Sequence, residues 1–581
     1  MHLCKKFISV IMALVLVLTM LPFAFASAAE PVSESTGTFK CAWFNETLTY
    51  PYEYSDEYFS GTSLEYNHDL ARFALCVAMA SFNSFDKEKG DEHIKALLEG
   101  CGFEVNSYGY ETEGYDTIGV AFGRKIIDGC NVIVAAIRSG NYGMEWGGNL
   151  RVGSGTGDHE GFRIAADTLI GYFNKYFEEH PCEGETKLLV PGYSRGGSVA
   201  NLTAAALDDG SYVQILGGAE DFIGKVDFDL YAYTFEAPQC TTSKDISENV
   251  YDNIFNIVNP NDYVPMFVMD EWGFANYGIR VELPCADNCD DYDSYYDRVC
   301  SEFDSFMGVN DRKAKDCFYS EEDSRSAETT LNYIFSGLGS DVMQNREFFH
   351  ENYEDPLVFF AGQYLGRKRK FKDFMRTMGL IAAATAIAAK PDNIEKIKSD
   401  GYRRYLSEYL AKKNGGELTQ KQIEGTLNLI TALLEYIRDN RKDVRSLAGQ
   451  LNTVLQVHQP FVALSWMRTL NEDDIHAING DFEHVFRLSC TSMKLKYNVN
   501  GKIVARFDEN LGHVEWKTSN ASIATVNENG VVHGTGKGTA TVTASLVSDD
   551  GTEIASESVK VTIHMNAVEM AVSYIKQLLH K

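Results

Sequence analysis

Residues 187–202, KLLVPGYSRGGSVANL, decide the fold. Leu188-Leu189-Val190 is a short apolar run suited to a buried strand, and from Arg195 to Leu207 the Ala- and Leu-rich pattern is that of a helix. Between them, Gly192-Tyr193-Ser194-Arg195-Gly196 has the form G-x-S-x-G. The five-residue pattern arises often by chance, so its surroundings must give it meaning. A strand leading directly into the serine and a helix leaving directly after it describe a nucleophile elbow. Ser194 then sits in strained backbone at the tip, and Gly192 and Gly196 leave the room a Cβ would fill. The helix N-terminus favours negative charge developing beside it. The alternative is a glycine-rich turn carrying an ordinary serine.

Working outward, strands alternate with helices. Leu70 to Asn83 and Lys87 to Cys101 have helical spacing and form a preamble to the core, after a polar start rich in Ser and Thr. Thr117 to Arg124 and Asn131 to Arg138 are β-rich and joined through Asp128-Gly129, which predicts a hairpin. Ile164 to Phe177 is a helix, and Leu230 to Phe235 and Asn253 to Val258 are two further strands. This alternation predicts an α/β sheet. From Arg298 to Gln456 helical periodicity is nearly continuous, with breaks at Gly337-Leu338-Gly339, Pro391 and Gly415-Gly416. We read it as an insertion or cap. Its basic cluster Arg367 to Lys370 is a solvated helix face, and Met378 to Ala389 is a buried helix.

At 581 residues the chain exceeds one ordinary domain. Lys5 and Lys6, the apolar run Phe7 to Leu21 and Ala26-Ser27-Ala28 together describe a secretion signal over residues 1–28. A membrane anchor is the alternative, for which the run is short. Of 53 Lys and Arg against 82 Asp and Glu, the signal removes two Lys, leaving a net charge of about −31. Such a charge repels nucleic acid and anionic lipid surfaces. Twelve Cys less Cys4 leave an odd number, so one thiol at least stays unpaired within the chain. Cys285 and Cys289 lack a second pair at zinc spacing, and a local disulfide with Cys300 or Cys317 is expected instead of a metal. Asp287, Asp290, Asp291, Asp293 and Asp297 lack the Gly and terminal Glu of a calcium loop, and are expected to be solvated.

A hydroxyl attacks at neutral pH only when an imidazole takes its proton and an acid orients that imidazole. Asp262 follows the strand ending at Val258, where catalytic groups of open α/β sheets sit. No His occurs between Asp262 and His350. His458 stands at a helix end entering the apolar segment FVALSWM; His350 in a predicted helix, and His476 and His484 in a polar stretch, are the alternatives.

Five segments in order resemble the class 3, or fungal-lipase-like, family of α/β hydrolases. They are AAIRSGNYGMEW (135–146), HEGF (159–162), VPGYSRGGSVANL (190–202), YTFEAP (233–238) and VNPNDYVP (258–265). The resemblance implies Ser194 as nucleophile and Asp262 as acid, with Gly140 and Arg195 offering backbone N–H groups to the oxyanion. HQPFVALSW (458–466) looks like the His-bearing stretch of related bacterial sequences. His159 is taken as structural. The chain departs from the family at Tyr193, where His is usual, at Glu236, where Gly is usual, and at Ser139, where Gly normally follows the Arg. Tyr193 is expected only to line the elbow. Further on, the segment from Trp516 to Ala544 resembles the bacterial Ig-like domain of group 2, and its short β-rich runs between glycine turns predict a small sandwich.

The expected architecture is an α/β-hydrolase core over 34–297, a helical insertion returning to the core over 298–485, an Ig-like domain over 490–564 and a tail over 565–581. The signal pattern implies a secreted or cell-surface protein, and the resemblance implies a serine hydrolase cleaving carboxylic esters without cofactor or metal, a lipase first, with phospholipase A1 or short-chain carboxylesterase as alternatives. A noncatalytic surface protein, its Ig-like module touching envelope or carbohydrate, is the rival from another class.

Overall fold

In the computed structural model, Leu188 and Val190 point to one face of a central sheet and Leu189 to the other, all fully buried. That two-sided burial is why the strand is apolar without alternation. The structure describes residues 32–310 except 44–45, 85–89, 141–142, 156, 244–245, 247–248, 267–271 and 287. It then describes 313–314, 318, 346–362, 391–413, single positions between 424 and 453, and 456–565 except 481–485, 489–491, 499, 504, 508–510 and 549.

Among the described residues the central sheet has seven strands: β3 (Glu104–Tyr108), β4 (Val120–Ile127), β5 (Cys130–Ile137), β6 (Thr186–Tyr193), β7 (Phe228–Phe235), β8 (Ile254–Val258) and β9 (Ile279–Glu282), in that spatial order. β3, β4 and β5 pair antiparallel; β5 through β9 run parallel. The expected β4–β5 hairpin turns at Asp128 (φ 49°) and Gly129 (φ 88°), the two positive values a tight two-residue hairpin needs. Preceding the sheet, β1 (Glu34–Trp43) and β2 (Glu46–Ser55) form an antiparallel hairpin that the polar composition hid.

Helices cover both faces. α3 (Glu160–Glu179) and α4 (Arg195–Asp208) lie on one, burying Phe162, Leu169, Phe173 and Val199. On the other lie α1 (His68–Ala80), α2 (Glu92–Gly100), α5 (Tyr292–Met307) and α6 (Pro460–Thr469), together with the first hairpin. α1 starts where the Asn67 side chain accepts Leu70 N–H at 2.8 Å, which satisfies one orphan donor of its first turn. Each fully buried Leu or Phe here contributes ~1.5–3 kcal/mol relative to exposure. α7 (Glu472–Asn479) follows α6 through a capping box of Asn471 and Asp474.

α5 runs across the boundary expected at residue 298. Asp290, Asp291, Asp293 and Asp297 are exposed, the first three at the N-terminal end of α5, where the helix dipole favours them; Asp287 lies outside the described residues. Cys289 and Cys300 carry free thiols, which corrects the expected pairing with Cys300; Cys317, the other expected partner, lies outside the described residues. Among the described residues no group of three or more His, Cys, Asp and Glu could hold a metal ion. Described parts of the insertion are helical: Arg346–Phe349, Asp355–Phe360, Pro391–Lys398 and Asp400–Lys413. Pro391 begins a helix, where its missing N–H costs nothing. The expected signal, the Arg367 to Lys370 cluster, Met378 to Ala389, His484 and nearly all of the tail lie outside the described residues.

The C-terminal strands form a β-sandwich. β11 (Ser492–Lys496), β18 (Glu553–His564), β17 (Gly538–Val547) and β14 (His513–Thr518) make one sheet, and β12 (Asn500–Lys502), β16 (Val531–Gly534) and β15 (Ala524–Val526) the other. Ala524, Val532, Val542, Ala544, Val559 and Val561 fill the space between them. β10 (Phe486–Leu488) pairs with β13 (Ala505–Phe507) and begins before the boundary expected at 490.

Candidate active site

Ser194 joins β6 to α4 with φ 52° and ψ −128°, a conformation that costs a non-glycine residue ~1–3 kcal/mol. Its neighbours enforce it. Ser194 N–H donates to Phe235 O at 2.8 Å, and Ser194 O accepts from Gly197 and Ser198 N–H at 2.8 and 3.1 Å. A Cβ on Gly192 would lie 2.3 Å from Gly196 O, and one on Gly196 would crowd Ser139 Cβ at 3.1 Å. Gly197 is as constrained, since a Cβ there would lie 2.8 Å from Ala237 Cβ. That third glycine lies beyond the five-residue pattern, and its position against β7 gives α4 its close approach to the sheet.

Asp262 follows β8 in a buried turn. Its N–H donates to Asn259 O at 2.8 Å, and its Oδ1 accepts Val264 N–H at 2.9 Å. His458 arrives from 196 residues downstream, one position before the Gln459 N-cap of α6, whose first residue is Pro460. Its Nδ1 lies 2.5 Å from Asp262 Oδ2, and its Nε2 lies 2.8 Å from Ser194 Oγ. Asp262 and His458 are 1% and 6% exposed. The other histidines are elsewhere engaged: His350 pairs with Glu354 at 3.1 Å, and His476 Nδ1 lies 3.3 Å from Gly480 O. His159 is fully buried, stacked on Phe162 at 3.9 Å, with Nε2 3.2 Å from Asn149 O. Burial first, then the nearby Arg346 charge, pushes its pKa down to about 3.

The three departures from the family pattern all bear structure. Ser139 donates its hydroxyl to Tyr193 O at 2.7 Å, tying the loop after β5 to the elbow. Gly140, beside it, has φ 60°, and a Cβ there would lie 2.4 Å from Phe82 Cδ2. Tyr193 does more than line the elbow. Its hydroxyl donates to His458 O at 2.8 Å, a link absent from the sequence reading because nothing in spacing connects the two positions. Glu236 has φ 47° at the end of β7, is buried, and accepts Asn259 N–H on both carboxylate oxygens at 3.1 Å.

Beneath the loop lies a buried ionic cluster. Arg138 and Arg195 both pair with Glu145, which is wholly buried and also accepts from Thr117 Oγ1. Arg195 Nη2 donates to Thr117 O at 3.0 Å, and Arg138 Nη1 to Gly109 O and Tyr110 O at 3.1 Å each. Burial is the largest influence on the Glu145 carboxyl and raises its pKa, against the pull of Arg138 and Arg195. One anion thus joins the loop bearing Gly140 to the first residue of α4.

A serine held at a strand-to-helix elbow on a largely parallel sheet, with helices on both faces, defines an α/β hydrolase. Residues 138–272 match the family model described as Lipase (class 3), and residues 501–559 match Bacterial Ig-like domain (group 2). The chain is a lipase-type carboxylic ester hydrolase carrying a bacterial Ig-like domain. Among solved structures, a Rhizomucor miehei lipase propeptide complex is similar at 19% identity over 38% of this chain and 68% of its own, with a TM-score of 0.26. For the lipase from Rhizopus microsporus var. chinensis the values are 15%, 37%, 73% and 0.27, and for lipase II from Rhizopus niveus 16%, 37%, 79% and 0.26. No curated protein matches the chain.

Proposed function

We propose that the protein is a secreted lipase that cleaves carboxylic esters through an acyl-enzyme on Ser194. The observation that carries this reading is the chain of contacts from Asp262 Oδ2 through both nitrogens of His458 to Ser194 Oγ, at 2.5 and 2.8 Å. His458 Nε2 takes the hydroxyl proton as Ser194 Oγ attacks the ester carbonyl, while Asp262 holds the Nδ1–H tautomer and stabilises the imidazolium. Backbone N–H groups of Gly140 and Arg195 receive the oxyanion. The proton then passes from His458 to the departing alkoxide, and water, activated the same way, releases the acid. No cofactor enters this sequence.

Secretion rests on the signal pattern of residues 1–28, and contact with envelope or carbohydrate on the Ig-like domain. The helical insertion, which falls between acid and base in the chain, shapes the acyl pocket. The test is hydrolysis of p-nitrophenyl esters and of phosphatidylcholine by the mature protein beside Ser194→Ala and His458→Ala. We expect each variant to lose at least a thousandfold in kcat. Cleavage of phosphatidylcholine at its first ester would assign a phospholipase A1, preference for short acyl chains a carboxylesterase. A wild type no faster than Ser194→Ala would leave a noncatalytic surface protein as the better reading.

A further inference from the structure

Glu236 and Asp262 are two buried carboxyl groups in contact, each 1% exposed and joined by a side-chain hydrogen bond. They are built together. Asn259 N–H donates to both oxygens of Glu236 at 3.1 Å, and the carbonyl of the same residue accepts Asp262 N–H at 2.8 Å. Glu236 N–H donates to Ile257 O at 3.0 Å, fixing the end of β7 against β8. The residue keeps φ 47°, which glycine would adopt without penalty, so a side chain here needs a reason.

Two hydrogen-bonded carboxyl groups out of water do not both ionise. The donors decide which one holds the proton. Asp262 accepts N–H groups from Val264 on Oδ1 and from His458 on Oδ2, so each of its oxygens already faces a separate donor. Glu236 has the Asn259 N–H, and the other groups facing it are the Asp262 carboxylate, the neutral Tyr193 phenol and, acting from β9, the Arg280 cation. Burial, and then the Asp262 charge, raise the Glu236 carboxyl well above the usual range.

We propose that Glu236 is a positioning residue, held protonated, that donates its hydrogen to the Asp262 carboxylate and so fixes the acid that orients His458. The hydrogen stays on Glu236 throughout turnover, and no bond to substrate is made. With Glu236 and Val264 as fixed donors, the Asp262 carboxylate cannot rotate away from His458 Nδ1. The third hydrogen bond also withdraws charge from Asp262 and so limits how strongly it raises the basicity of the imidazole. This inference rests on Ser194, His458 and Asp262 acting as proposed above.

The test uses the full mature chain with Glu236→Gln and Glu236→Gly. Glutamine is the neutral isostere: its amide donates to Asp262 and its oxygen accepts from Asn259. We expect Glu236→Gln to keep kcat within about threefold of wild type. Glu236→Gly should lose about tenfold or more in kcat with KM little changed, and its acidic limb of kcat/KM against pH should move up by about one unit. A Gly variant matching wild type in kcat and pH profile would overturn the proposal, as would a Gln variant impaired as deeply as Gly. Should the Gly variant fail to fold, infrared spectra of the chain labelled with carbon-13 at glutamate side-chain carboxyls decide. A protonated-carboxyl band present in wild type and missing from Glu236→Gln supports the pair, and its absence from wild type overturns it. That spectrum needs no turnover, so it separates failure of this inference from failure of the ester-hydrolase reading.

Discussion

Tyr193 and His458, 265 residues apart in the chain, are joined by a 2.8 Å hydrogen bond from the tyrosine hydroxyl to the histidine carbonyl, with their rings 5.5 Å apart. The residue before Ser194 therefore touches the backbone of the residue that faces Ser194 from the other side. The elbow serine and the histidine hydrogen-bonded to it are thus also linked through a buried phenol.

Tyr193→Phe removes that link and little else. A buried hydrogen bond of this kind contributes about 1 kcal/mol net. We expect a loss of about 1 kcal/mol in urea unfolding and about fivefold in kcat, with KM unchanged. An unaltered kcat would show that the turn before α6 holds His458 without help.

Glu145 lies between two buried guanidinium groups, those of Arg138 and Arg195, and pairs with both. Removing one partner of such a cluster leaves uncompensated buried charge, at a cost of about 3–5 kcal/mol. Glu145→Ala should therefore lower the urea midpoint sharply, whereas the double variant Glu145→Ala with Arg138→Met should recover part of the loss. Equal stability of the single variant and wild type would contradict the burial of the cluster.

Much of the core was legible because its signals are local. The strand, turn and helix around Ser194, the hairpin at Asp128-Gly129 and the glycine turns of the sandwich each follow from a few adjacent residues. The first hairpin was missed although Leu48, Tyr50, Tyr52 and Tyr54 alternate inward along β2, because the surrounding Ser and Thr masked the period. β9 is four residues long, too short for periodicity to register. At the site, Ser194 and Asp262 lie at strand ends and could be found from the sheet alone. His458 could not, since the insertion separates it from Asp262 and no spacing rule spans that distance. The roles of Tyr193 and Glu236 depend on contacts between distant segments, and only the unusual Glu in place of Gly hinted at the second.

Acid should destabilise the fold through histidines held neutral. His159 has a folded pKa of about 3 against 6.5 when exposed, and burial also lowers His68 and His93. Between pH 6.5 and 3 the unfolded chain binds a proton at His159 that the folded chain refuses, so stability falls as pH falls, by about 1.4 kcal/mol per unit from this group. His159→Phe keeps the stacking on Phe162 but cannot titrate. Denaturant unfolding from pH 7 to 4.5 should give it a shallower slope than wild type, even though losing the bond to Asn149 O lowers its stability at pH 7. Parallel slopes would refute the assignment.

Arg346 marks where the insertion grips the core. Its guanidinium donates to the carbonyls of Gly153, Gly157, Val152 and Asp158 at 3.0, 3.1, 2.6 and 3.0 Å, while Glu354 accepts Gly153 N–H at 2.8 Å. Gly153, Gly155 and Gly157 all have positive φ, so the loop has little conformational preference of its own and is shaped by the arginine. A lysine ammonium, a compact point donor, cannot span four carbonyls arranged around a planar fork. Both Arg346→Ala and Arg346→Lys should therefore free the 152–158 loop, at a cost of about 3 kcal/mol for the alanine. Limited proteolysis should cut between residues 150 and 160 at least tenfold faster in both variants, and hydrogen exchange should quicken at Gly153 N–H first. If lysine protects the loop as well as arginine does, charge alone holds it and the four-carbonyl fork is not what fastens insertion to core.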